Sequence, residues 1–525
     1  MSDGDNDIRD SAELPLPKEL AEFCKSDSLS VAGIREIIER HGLNNFPQRD
    51  YEFFLAACRN ERVNEGIIQY LLEYFPAAIS ATDENGWSPL HFACCNTNVT
   101  VNIIQLLIDA APAIVHNVNN NGRMPLHHLC KYGNANEAVE LDILKLLIEK
   151  CPEAVRHEDE MGCLPLHFAR SPEFCRMLIE VYPGSERMPA RIGALPLHIA
   201  CAKNTVAKVE YLYTLYPDAI NHTTTDGHYP IHFAIKGIMY RNNPTGSVDI
   251  VEYLLGCDPL VELQKFRGGS LLYFACNNLV YNDSNIEIGI QVVKGIFDAH
   301  PEAIEEDNIA SNIHHWHQRV QAFINGELVY ARQAKDHRLS TTPDGNGQLP
   351  LHTALLNNAR LGSIKLLVKG NPSAIRTVDT NNFAFPLHMA CQHHGSTTVV
   401  QYLLGLDIRT LRAVDYDNNT ALHYACRGAK YETIKMLLEK YDAVSVSKRN
   451  AHKKLPIDLL FESSDVLDRD SVEYTDSVFR LLKAYPDTLM NYNFDMKQPA
   501  DAYATQNGKK RKLDAVEVNG AMNIA

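Results

Sequence analysis

Apolar residues along this chain recur in short helical stripes separated by polar turns. Ile103-Ile104-Gln105-Leu106-Leu107-Ile108, Ile143-Leu144-Lys145-Leu146-Leu147-Ile148 and Ile364-Lys365-Leu366-Leu367-Val368 are three such stripes. Their spacing at i, i+3 and i+4 is that of an amphipathic helix with one buried face. A proline turn closes many of them, as in Tyr216-Pro217-Asp218-Ala219-Ile220, His300-Pro301-Glu302-Ala303-Ile304 and Asn371-Pro372-Ser373-Ala374-Ile375. Proline suits a helix stop because it has no N–H to donate onward.

A second, shorter apolar segment precedes each stripe. Ser88-Pro89-Leu90-His91-Phe92-Ala93-Cys94 is one, followed by Met124-Pro125-Leu126-His127, Leu164-Pro165-Leu166-His167, Leu195-Pro196-Leu197-His198 and Tyr229-Pro230-Ile231-His232. Leu349-Pro350-Leu351-His352, Phe385-Pro386-Leu387-His388 and Ala421-Leu422-His423 continue the series. Phe53-Phe54-Leu55-Ala56-Ala57-Cys58, Leu271-Leu272-Tyr273-Phe274-Ala275-Cys276 and Leu455-Pro456-Ile457-Asp458 are weaker copies. From position 91 onward the histidine-equivalent residues are 36, 40, 31, 34, 41, 79, 36, 35 and 35 apart. Turn signals stand before the motif at Asn85-Gly86, Asn121-Gly122, Asp226-Gly227 and Asn346-Gly347. Asn/Asp-Gly supplies the positive φ of a tight hairpin-like turn. The predicted unit is turn, helix, loop, helix, proline turn.

Asn-Gly-x-x-Pro-Leu-His-x-Ala at this period resembles the ankyrin repeat, whose signature is Thr-Pro-Leu-His-x-Ala. Here Leu, Met, Ser or Tyr usually replaces the threonine. The wording Leu-Pro-Leu-His with Tyr-Pro-Asp-Ala-Ile further resembles expanded ankyrin families of some microalgae. The resemblance spans roughly residues 50–490 and implies an all-α solenoid of about ten to eleven helix-turn-helix repeats with hairpin-like turns. It also implies that the repeated histidine hydrogen-bonds near the turn and ties neighbouring repeats together. The expected organisation is a disordered N-terminus at 1–13, a helical cap at 14–45 and a repeat block at 46–307. An irregular insertion or decayed repeat at 308–345, a second block at 346–492 and a disordered tail at 493–525 follow.

Composition adds limits. The net charge of −15 argues against general nucleic-acid binding, which needs basic surface. No run of about 18 apolar residues predicts a membrane span. Met1–Asp7 is acidic and lacks the pattern of an export signal, so an intracellular location, cytoplasmic or nuclear, is expected. The thirteen cysteines form no CxxC pair, and seven of them follow the motif alanine or its equivalent: Cys58, Cys94, Cys130, Cys201, Cys276, Cys391 and Cys426. Free cysteine at such a position is a small buried hydrophobe.

No catalytic, cofactor-binding or metal motif is expected. His91 and Cys94 stand at i, i+3, but His198–Cys201, His388–Cys391 and His423–Cys426 repeat the pair, which marks packing rather than a site. His314, His315 and His317 form the sharpest metal-like cluster, yet adjacent histidines on a helix face different ways, so a solvated role is expected. An enzyme using the 308–345 insertion is the weakest alternative.

The expected function is a non-enzymatic scaffold or adaptor, a monomer that binds a protein partner on the concave surface. The alternative is a nuclear regulator that binds or masks a transcription or signalling factor. The resemblance places partner contacts at variable positions after the turn glycine and on the first helix: Trp87, Asn96, Arg123, Lys131, Tyr132, Lys203, His228, Lys236, Gln348 and Asn357. Lys509-Lys510-Arg511-Lys512 resembles a nuclear import signal for an import receptor; a solvated charge run is the competing reading.

Overall fold

In a computed structural model the structure describes residues 16–42, 51–132, 136–203, 205–240, 245–258, 261–278, 285–440, 446–463 and 471–486. The basic cluster Lys509, Lys510, Arg511 and Lys512 and both expected disordered termini lie outside them. Among the described residues every regular element is a helix; the β-geometry is a single antiparallel bridge, Phe266 to Gly269. The fold is an all-α ankyrin-repeat solenoid. Two compact units are present, residues 1–340 with 360–371, and residues 341–359 with 372–525.

Repeat by repeat, a first helix such as Pro89–Cys95 is followed by a longer second helix such as Val101–Ala110 and a 3₁₀ turn such as Pro112–His116. The proline opens the first helix where a missing N–H costs nothing. The second helix buries its stripe, here Ile103, Ile104, Leu107 and Ile108. In the 3₁₀ turn the two residues after the proline-adjacent position, for example Ala154 and Val155, or Ala219 and Ile220, are buried.

Three recurring sets of bonds shape the turns and join one repeat to the next. First, an Asp or Asn side chain organises most of the hairpins: Asp83 Oδ1 accepts from the N–H groups of Asn85 and Trp87 at 2.9 and 2.7 Å. Second, turn tips pair through their backbones. Asn120 N–H donates to Asn85 O at 2.9 Å, Glu160 to Asn121 at 3.0 Å, Arg191 to Met161 at 2.9 Å and Thr225 to Ile192 at 2.9 Å. Gly122, at φ 69°, is needed there; a Cβ would stand 2.9 Å from Glu160 N.

Third, the histidine bridges. Nδ1 of His91, His352 and His423 accepts from the backbone N–H three residues earlier at 3.1–3.2 Å. Nε2–H of the same three rings donates to Arg123 O, Thr377 O and Lys454 O, in the turn of the following repeat, at 2.9, 2.9 and 3.3 Å. The side chain thereby caps its own helix and holds the next turn, with the neutral Nε2–H tautomer fixed by both partners. The seven motif cysteines are all buried.

Departures from the period have local causes. The 31-residue spacing between His167 and His198 comes from a first helix of only four residues, Pro165–Phe168. The fully buried Lys208 donates its ammonium to the carbonyl of Ala169 just beyond that helix end. The 79-residue gap holds short helical turns at Asp307–Asn312 and Ile313–His315 and then one long helix, Gln318–Lys335. This helix packs closely on Leu361–Gly370: a Cβ on Gly370 would clash with Ala334 O. His317 caps it by accepting from Arg319 N–H at 3.2 Å, while His314 and His315 are exposed.

Candidate functional site

The turn-tip ladder has no rung, among the described residues, between the tip at Asp226-Gly227 and the following turn. The reason is in the sequence of that turn. Lys265-Phe266-Arg267-Gly268-Gly269 closes as a four-residue hairpin, with Phe266 and Gly269 exchanging N–H···O bonds of 3.1 and 3.0 Å. Arg267 (φ 50°) and Gly268 (φ 81°) occupy its centre, both left-handed as a tight hairpin requires. The motif histidine is replaced by Tyr273, whose ring lies against Gly269; a Cβ there would be 2.6 Å from it. Nε2 of the buried His232 has no hydrogen-bond partner here.

Where the rung is missing an open groove of about 510 Å³ appears, lined by His228, Lys236, Phe266, Arg267, Tyr273, Phe274, Asn277 and Asn278. Its floor is aromatic. His228 stacks on Phe266 at 3.9 Å between ring centres, and Phe266 meets Phe274 edge-on at 5.4 Å. Two cations sit on that floor, Arg267 over Phe266 at 5.1 Å and Lys236 over Phe274 at 5.9 Å, cation–π distances. Lys236 donates to Nε2 of His228 at 2.8 Å. Burial, and then the Lys236 charge, push the His228 pKa down to about 4, so its ring is a neutral acceptor at physiological pH. Burial also lowers the Lys236 pKa from its ordinary value. Among the described residues no carboxylate lines the groove; the exposed Asp226 is the acid that acts on Lys236.

Of the ten sequence-derived contact residues, the structure brings His228 and Lys236 together in this groove. A second group forms four junctions earlier in the chain order, at the same repeat positions. Trp87 packs on His128 at 4.1 Å, Tyr132 stacks on His128 at 5.9 Å and 7°, and Lys131 covers Tyr132 at 4.6 Å. Tyr132 is exposed and Trp87 half-buried. Arg123 turns instead toward the following repeat, pairing with Asp159 at 2.9 Å and lying over Phe168 at 4.7 Å. Asn96 is buried and donates to Cys58 O and Asn60 O of the preceding repeat at 3.0 and 2.8 Å. Lys203 and Asn357 are exposed and Gln348 is half-buried. Gln348 and Asn357 belong to the second unit.

Phe266, Arg267, Tyr273, Phe274, Asn277 and Asn278 were not among the sequence candidates. The available signal was the decay of the repeat around them: no Asn-Gly, no proline and no histidine. Decay at an interior repeat marks a place where the scaffold bonds are absent and surface is open.

No curated protein matches the chain. The family model for ankyrin repeats (3 copies) matches residues 53–150, 100–187 and 351–450. Its repeats coincide with the helix pairs, capped histidines and paired turn tips described above, and the chain belongs to the ankyrin repeat family.

Proposed function

We propose that this chain is a non-enzymatic scaffold or adaptor whose most selective contact is the groove between His228 and Asn278. Ankyrin repeats are a protein–protein interaction module. The observation that carries the finer reading is the pair Lys236 and Arg267, set on an aromatic floor with no carboxylate among the described lining residues, in a chain of net charge −15. Such a groove suits an acidic segment of a partner protein that also inserts an apolar or aromatic side chain. Aromatic and arginine residues are the side chains that most often dominate an interface. The Trp87–His128–Tyr132 row offers a second contact area of the same repeat positions.

The test is affinity purification of the intact chain beside Lys236→Ala/Arg267→Ala and beside Trp87→Ala/Tyr132→Ala, each checked for unchanged thermal stability. Loss of acidic partners from the groove variant supports the reading. Equal recovery by all three proteins refutes it. A second reading, a regulator that enters the nucleus, rests on Lys509-Lys510-Arg511-Lys512 and is compatible with the same groove.

A further inference from the structure

Among the described residues one group of three metal-ligating side chains converges, His116, Cys151 and Glu153. Cys151 Sγ is 3.3 Å from His116 Nδ1, His116 Nδ1 is 3.5 Å from Glu153 Oε1, and all three ligand atoms lie within 4.8 Å of one another. We propose that these three side chains form a binding site for a borderline divalent cation, zinc being the one they fit best.

The distances have a direct meaning. Zinc bonds of about 2.3 Å to sulfur and about 2.0–2.1 Å to nitrogen or oxygen, at tetrahedral angles, place ligand atoms about 3.3–3.6 Å apart. The two separations fall in that range, and the exposed Glu153 needs only a small side-chain rotation to complete the set. Thiolate with imidazole selects zinc-like cations over calcium and magnesium, which prefer oxygen ligands alone. Three protein ligands leave a fourth position for water or for a side chain of a bound partner.

The backbone prepares the site. Cys151 and Glu153 flank Pro152, whose ring fixes the turn, and Cys151 N–H is held by Leu147 O at 2.9 Å. His116 ends the preceding 3₁₀ turn, Pro112–His116. Cys151 is not one of the motif cysteines of the first helices. It stands at the residue before the turn proline, where other repeats carry Phe75, Ala111, Tyr216 or His300, and it has an imidazole and a carboxylate as neighbours. Burial raises its thiol pKa to about 11, so a bound cation must displace the thiol proton. A cation here would clip two successive proline turns together across the junction between neighbouring repeats.

The experiment uses the full chain, stripped with a chelator and titrated with Zn²⁺, and with Co²⁺ as a spectroscopic probe. The expected result is one equivalent bound, with a thiolate-to-cobalt charge-transfer band. Cys151→Ser removes the band, whereas Cys95→Ser and Cys163→Ser, at two of the three half-buried thiols, keep it. His116→Ala and Glu153→Gln weaken zinc binding by at least about tenfold, the scale on which even outer-shell changes act. Glu153 is exposed, so its variant folds and stands as an independent check. The thermal midpoint of the wild type rises with zinc and that of Cys151→Ser does not. A band unchanged by Cys151→Ser, or no stoichiometric binding by the wild type, overturns the proposal.

Discussion

The bridging histidines make this fold acid-labile, by an amount that follows from their burial. Burial pushes the pKa of His127, His167, His388 and His423 down to about 4 in the folded chain. In an unfolded chain a histidine titrates near about 6.5. The folded state therefore binds fewer protons than the unfolded state between these values, and stability falls as pH falls. The contribution is intact above about pH 6.5 and fully lost below about pH 4. Structurally, a proton on Nδ1 would face the backbone N–H that now donates to it, as at Leu164 and Phe385. At pH 5 each of these histidines removes about 2 kcal/mol, so the four together remove about 8 kcal/mol. That compares with about 5–15 kcal/mol for the whole stability of a typical domain. The assay is urea unfolding at several pH values between 7.5 and 5, with proton uptake read from the slope. Each of the four adds about 0.9 proton taken up at pH 5. His388→Gln and His423→Gln keep a side-chain acceptor but do not titrate, so each flattens the profile by about 2 kcal/mol. A wild-type uptake below about one proton near pH 5, or an H388Q profile parallel to the wild type, would refute the reasoning.

Two further outcomes follow from the turn tips and the tail. Gly122 and Gly227 both have positive φ, but only Gly122 faces the next tip, while the space around Gly227 is open. Gly227→Ala should cost only the left-handed strain of about 1–2 kcal/mol, and Gly122→Ala about 1–3 kcal/mol more from displacing Glu160; equal losses in thermal unfolding would deny the ladder its role. Deleting residues 508–513 from a fluorescent fusion should shift the protein out of the nucleus, and an unchanged distribution would sink the import reading.

Repetition made the fold legible. Leu349-Pro350-Leu351-His352 and its copies carry a helix start, an inward leucine and a bridging histidine within four residues, and the i, i+3, i+4 stripe after each copy fixes the second helix. The burial of Cys94 or Cys391 was equally readable, because a recurring position must satisfy the same packing each time. The candidate site was readable only in part. His228 and Lys236 could be named from their place in the repeat, but Asn96 shares that logic and is buried against the preceding repeat, and Arg123 is drawn to Asp159. Which way such a side chain turns depends on what the neighbouring repeat presents 30 to 40 residues away, and no local pattern encodes that. The groove exists because one hairpin is a residue shorter and its rung is missing. His116, Cys151 and Glu153 meet because two proline turns stack in register. By itself the sequence determined the repeating unit and its all-helical core, since these rest on short-range periodicity. Tertiary structure alone decided the groove and the three-ligand cluster, since both arise from non-periodic residues that stacking brings face to face.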